Sequence, residues 1–152
     1  MPSEKVLVVD DEIFVRELLL EFLSMQGYEV ILADSGEKAV QLMHTQPADV
    51  VLLDLKMTGM DGIETLKQIR KSAPGTIAII MTGYPTIESS IEALRHGACD
   101  YVMKPFKLNE LKSSIENALG EHKFKSEIGK LKVRITELET ELKKVSDLRY
   151  GI

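Results

Sequence analysis

Five short apolar runs, each followed by a stretch of helical periodicity, leave this chain few architectures to choose from. The runs are Lys5–Val9, Glu29–Ala33, 50–53, 77–81 and a shorter one around 101–103. Between the first two, Ile13–Met25 carries Leu18, Leu19, Phe22 and Leu23 at helical spacing and stops before Gly27, a C′ type of residue. A second helix is expected over 37–44, after Ser35 as N-cap and before Pro47. The third follows the Asp61-Gly62 turn signal over about 63–70, and the fourth, about 86–96, shows Ile87, Ile91 and Leu94 at i, i+4 and i+7 before Gly97. The fifth begins near Leu108. Apolar runs without polar alternation fit strands buried on both faces, and their alternation with helices predicts right-handed crossovers and a doubly wound parallel α/β sheet. With the order 2-1-3-4-5, the topology reverses between strands one and three, where such sheets bind ligands beyond their carboxyl ends.

Chemistry collects at those ends. The run VVLL closes on Asp54, the first strand closes on Asp10 and Asp11, the fourth on Thr82 and the fifth on Lys104. Three converging carboxylates repel one another unless some are protonated or a cation holds them together. An acid trio, a hydroxyl and an ammonium at four strand ends form a phosphoryl-transfer constellation. Taken singly, the residues have plainer readings: Asp11 as a helix cap, Thr82 as a turn residue, Tyr101 as strand packing. Asp54 resists such a reading, because a lone carboxylate on a buried strand end is costly. Gly83 is read as leaving room beside the backbone for a phosphoryl group, and Lys104-Pro105 as a candidate cis peptide that would turn the lysine inward. Cys99 is expected to be an inert buried thiol, and His44, His96 and His122 lack ligand spacing.

The 152 residues suffice for one core of ordinary size with an appendage. A net charge of −5 gives no basic footprint for nucleic acid and no attraction to an anionic membrane. With a single cysteine, no secretory leader pattern and no run of about 18 apolar residues, a soluble cytoplasmic protein is expected.

VLVVDDE, LLDLKMTGMDG, IIMTGYPTIESS and GACDYVMKPF together resemble the receiver domain of two-component response regulators, and GACDYVMKPF is most similar to receivers of the enhancer-binding, nitrogen-regulator type. The resemblance covers roughly residues 4 to 120. It implies a flavodoxin-like (βα)5 fold and a signalling module rather than an enzyme, whose only catalysis is its own phosphorylation and dephosphorylation. Asp54 would be the phosphoacceptor, a histidine kinase the donor and Mg²⁺ the cofactor. Asp11, Asp54 and the backbone carbonyl of Lys56 would ligate the ion, with Asp10 acting through water. Thr82 and Lys104 would hold the phosphoryl oxygens, and Tyr101 would be an aromatic switch acting on helix four, strand five and helix five. Thr58 stands where many receivers carry proline. Tyr84, lying over the site, is expected to shield the aspartyl-phosphate from water. A haloacid-dehalogenase-type phosphohydrolase would need D-x-D where this chain has Asp10-Asp11-Glu12, and a nucleotide or flavin module would need a Gly- or Ser/Thr-rich loop there. A purely structural oligomerisation protein would leave the acid cluster unexplained.

The remaining stretch has a different period. Phe124, Ile128, Leu131, Ile135, Leu138, Leu142 and Val145 recur at alternating spacings of four and three. Ile128, Ile135 and Leu142 fall at a, with Leu131 and Leu138 at d, a pattern that favours a parallel two-stranded coiled coil. The expected organisation is a receiver domain over 1–120 and a coiled-coil dimerisation linker over 121–152. Glu127 would face Lys132 of a second copy, and Arg134 its Glu139. Gly120 and Gly129 weaken the helix by about 1 kcal/mol each against alanine. The ending DLRYGI is similar to the approach to a σ54-type ATPase domain, so the chain is expected to be the N-terminal part of a larger transcription regulator.

Overall fold

A computed structural model describes residues 4–149. Along the chain run β1 (Lys5–Val9), α1 (Ile13–Met25), β2 (Glu29–Ala33), α2 (Gly36–Thr45), β3 (Val50–Asp54), α3 (Gly62–Ser72), β4 (Ile77–Thr82), α4 (Ile87–Arg95), β5 (Ala98–Met103) and α5 (Leu108–Arg149). The strands form one parallel sheet in the order β2-β1-β3-β4-β5. The flavodoxin-like architecture read from the sequence is therefore the one observed. Two compact units divide at Ala118 and Leu119, within α5.

In the first unit every residue of β3 and β4 is buried, as their unbroken apolar runs require. Leu7, Val9, Val51, Leu53 and Ile80 share a core with Ala39 and Met43 of α2 and Leu66 and Ile69 of α3. Local signals start the helices where they stand. Ser35 Oγ accepts from Lys38 N at 3.2 Å and Asp61 Oδ1 from Glu64 N at 2.9 Å. Thr86 and Ser89 cap α4 reciprocally. Arg70 fastens the lower end by donating to the carbonyls of Pro74, Thr76, His96 and Gly97. Gly97 has φ +87°, and a Cβ there would lie 2.9 Å from Arg70 Nε, so both its conformation and its neighbour require glycine.

Two sequence expectations change. β5 begins at Ala98, earlier than the run around 101–103 suggested, because an edge strand has one face in water and shows no continuous apolar run. On that strand Cys99 is exposed, not buried. The apolar face of α4 points outward: Ile87 is 79% and Leu94 57% exposed, whereas small Ala93 is fully buried. Periodicity located this helix but not its inner face.

The second unit is the remainder of α5, helical from Leu119 to Arg149 and unbroken at Gly120 and Gly129. Phe124, Leu131, Ile135, Leu138, Leu142 and Val145 are exposed along it, and Ile128 is half-buried. Arg134 pairs with Glu137 of its own helix at 3.2 Å. Tyr150, Gly151 and Ile152, the close of the DLRYGI ending, lie outside the described residues.

Candidate phosphoryl-transfer site

The register of the sheet brings four strand ends to one level. Asp54 pairs with Met81 and Thr82 with Met103, while the Asp10 N–H extends the ladder to the Ala33 carbonyl. The next residue after β5, Lys104, donates its N–H to the Thr82 carbonyl at 2.7 Å. The peptide between Lys104 and Pro105 is cis.

Asp10 has no exposed surface, and each of its oxygens accepts a hydrogen bond. Its Oδ2 accepts from Lys104 Nζ at 2.6 Å, its Oδ1 from Glu12 N at 2.9 Å, and its carbonyl from Arg16 Nη1 at 2.8 Å. Asp54, 4% exposed, is served less well: Lys56 N donates to Oδ1 at 3.2 Å and Lys104 Nζ stands 3.5 Å from Oδ2. Burial, and then the neighbouring Asp10, push the Asp54 carboxyl up to about 6 against the pull of Lys104. For Lys104, burial acts to lower the ammonium's pKa, but Asp10, Asp54 and Glu12 outweigh it and hold the group above its ordinary value. One ammonium is shared between two carboxylates and favours Asp10, which leaves Asp54 short of positive charge.

The other residues frame this pair. Asp11 is exposed, with Thr58 Oγ1 3.4 Å from its Oδ2. Thr82 is 1% exposed, and its Oγ1 accepts from Tyr84 N at 3.1 Å. The Tyr84 ring is exposed and carries Lys56 Nζ 4.1 Å from its centroid. Tyr101 packs against the core, with its hydroxyl 2.8 Å from Ser89 Oγ. A Cβ on Gly83 would meet only Lys104 Cβ at 3.9 Å, an ordinary contact, so no protein atom beside it requires glycine.

A hard divalent cation fits these donors. Asp10, Asp11 and Glu12 each offer a carboxylate oxygen within 4.8 Å of the others, and Asp54 beside them lacks a full counter-charge. Oxygen-only ligands at an open acidic edge suit Mg²⁺. Glu12 enters that cluster although its sequence position marked it only as part of an acidic triplet. Ser89 and Arg16 were also missed. Ser89 lies on a capping motif, whose sequence signal gives no hint of a contact with Tyr101.

A family model described as "Response regulator receiver domain" matches residues 6–116. The regulatory protein AtoC of Escherichia coli K12 is 44% identical over 124 residues, which cover 82% of this chain and 27% of AtoC. Sporulation initiation phosphotransferase F of Bacillus subtilis is 36% identical over 119 residues, 78% of this chain and 96% of that protein. Among solved structures, NtrX from Brucella abortus superposes with a TM-score of 0.80 at 33% identity, covering 86% of this chain and 30% of NtrX. A CheY-like receiver domain protein from Methanospirillum hungatei JF-1 gives 0.80 at 30% identity, covering 82% and 99%. The chain thus spans about a quarter of AtoC and nearly all of the single-domain relatives.

Proposed function

Because this chain belongs to the response regulator receiver domain family, the signalling module of two-component systems, we propose that Asp54 is its phosphoacceptor, charged by a histidine kinase in a Mg²⁺-dependent reaction. Receiver domains take phosphate from histidine kinases and bind Mg²⁺ at an acidic cluster. The observation that carries the assignment is the burial of Asp54 on the central strand beside Lys104, with its charge incompletely compensated.

Bringing a phosphoryl group to a carboxylate joins two anions, so neutralisation comes first. When bound, Mg²⁺ supplies that positive charge, held by Asp11, Asp54 and the Lys56 carbonyl, with Asp10 acting through water. An Asp54 oxygen attacks phosphorus opposite the donor imidazole nitrogen. The P–N bond breaks, its electron pair stays on the imidazole, and an acyl phosphate forms. Lys104 Nζ, 2.6 Å from Asp10 and 3.5 Å from Asp54, has only a short swing to make onto a phosphoryl oxygen. Thr82 spends a lone pair on the Tyr84 N–H, which leaves its own O–H free to donate. Its inward movement gives Tyr101 space to turn and draws the tyrosine hydroxyl away from Ser89 at the start of α4. The result is a population shift of the face formed by α4, β5 and the receiver's part of α5.

Residues 121–149 form, in this reading, a parallel dimerisation coil, and the output domain is that of a transcription regulator. The a and d positions, exposed but for the half-buried Ile128, support the coil, and AtoC, the regulatory protein of which this chain spans about a quarter, supports the output. Treatment with acetyl phosphate and Mg²⁺, followed by intact mass, tests the central assignment. One phosphoryl group should appear on wild type and none on Asp54→Asn; equal labelling of both refutes it.

A further inference from the structure

The loop between β3 and α3 is fastened at both ends. Met57 is buried in the core, and Gly62 N donates to the Leu55 carbonyl at 2.9 Å. Its apex, Thr58-Gly59-Met60, has no core anchor of its own, yet two side chains from other elements grip it. From the first turn of α2, Glu37 Oε1 accepts from Met60 N at 2.8 Å. From the acidic edge, Asp11 Oδ2 receives the Thr58 hydroxyl at 3.4 Å. The same turn of α2 sits tightly on this loop, since a Cβ on Gly36 would collide with Thr65 Oγ1 and lie 3.1 Å from the Met60 carbonyl. The Glu37 carboxyl is held below its usual range by its own backbone N–H and then by that of Met60, as an engaged acceptor should be.

We propose that Glu37 is a positioning residue for the metal site: it fixes the loop apex, and Thr58 on that apex orients Asp11. This rests on the reading of Asp11 as a Mg²⁺ ligand. Proline at 58 would bring no hydroxyl, so the Thr58 branch is particular to chains with a hydroxyl at this point. Glu37 lies outside the acid cluster and acts on it through hydrogen bonds, in the manner of outer-shell groups that hold a ligand's geometry.

Titration of the full chain with Mg²⁺ alone, followed through the amide resonances of Asp11 and Met60 without any phosphoryl donor, tests this. Wild type should saturate, and Glu37→Ala should bind roughly tenfold more weakly with the rest of the spectrum unchanged. Glu37→Gln, which keeps an acceptor oxygen, should stay within about twofold of wild type because a neutral acceptor still satisfies Met60 N–H. Thr58→Val should weaken binding and Thr58→Ser restore it. Adding Glu37→Ala to Thr58→Val should cost little more, since both act through one apex. A wild type that fails to bind Mg²⁺ overturns the metal-site reading together with this inference. A wild type that binds overturns this inference alone in any of three cases: Glu37→Ala binds as well, Glu37→Gln is as weak as Glu37→Ala, or the double variant loses the full sum.

Discussion

The Asp54 carboxyl titrates near pH 6 because its ionised form is buried beside Asp10 with only part of an ammonium for company. Its ordinary value is 3.8, so between 3.8 and about 6 the folded protein holds a proton that the unfolded chain has released. The associated stability is full below pH 3.8 and lost as pH rises through 6, a swing of about 3 kcal/mol at 1.36 kcal/mol per pH unit. Asp54→Asn removes the ionisation, so metal-free Asp54→Asn should exceed wild type by about 2 to 3 kcal/mol at pH 7.5 and lose that advantage near pH 4. Urea unfolding at both values checks it; an equal difference at both contradicts the ionisation account. Tyr84, with Lys56 over its ring, stands on the solvent side of Thr82, and Tyr84→Ala should shorten the lifetime of the aspartyl-phosphate several-fold. Equal decay rates in wild type and variant would remove that role. Asp10, Asp11, Asp54, Thr82 and Lys104 were legible because each sits where an apolar run stops. Glu37 and Ser89 were not, because Glu37 grips a backbone N–H 23 residues away and Ser89 reaches Tyr101 from another element.

At the scale of elements, Arg70 ties the end of α3 to the α3–β4 and α4–β5 loops through four carbonyls. Lysine has no planar fork to span them, and burial already presses the guanidinium's pKa downward. Arg70→Lys should cost about 2 kcal/mol, read by thermal unfolding, with Mg²⁺ binding unchanged; a loss under half of that would show the carbonyls to be satisfied by water instead. The strands β1, β3 and β4 were readable almost to the residue, because burial on both faces forces continuous apolar runs. β5 and α4 were less so. An edge strand tolerates Cys99 and Asp100 in water, and α4 meets the sheet through Ala93 rather than through the isoleucines that gave it away in sequence. The exposed face of Ile87, Ile91 and Leu94 adjoins the part of the domain expected to move with Tyr101, so the residues that marked this helix in sequence lie on the proposed output surface.

For the whole molecule, the parallel order 2-1-3-4-5 followed from strand and helix alternation, and with it the point where acids could meet. Association between copies is a property of two chains, and one chain shows only its prerequisites: an a and d seam exposed but for the half-buried Ile128, and a helix that continues through both glycines. Sedimentation by analytical ultracentrifugation should give a dimer that Leu131→Asp or Leu138→Asp converts to monomer; a monomeric wild type, or a dimer indifferent to both, would rule the coil out. The intrahelical Arg134–Glu137 pair would then compete with the pairing of Arg134 to the second copy's Glu139, which makes that contact the weaker contributor. The most direct measurement concerns the bond itself. Borohydride reduction of the protein phosphorylated with acetyl phosphate and Mg²⁺ converts an acyl phosphate to homoserine, and peptide mapping then reads its position. The account predicts homoserine at position 54 alone; homoserine at 10 or 11, or at no position in a protein that carries phosphate, would contradict it.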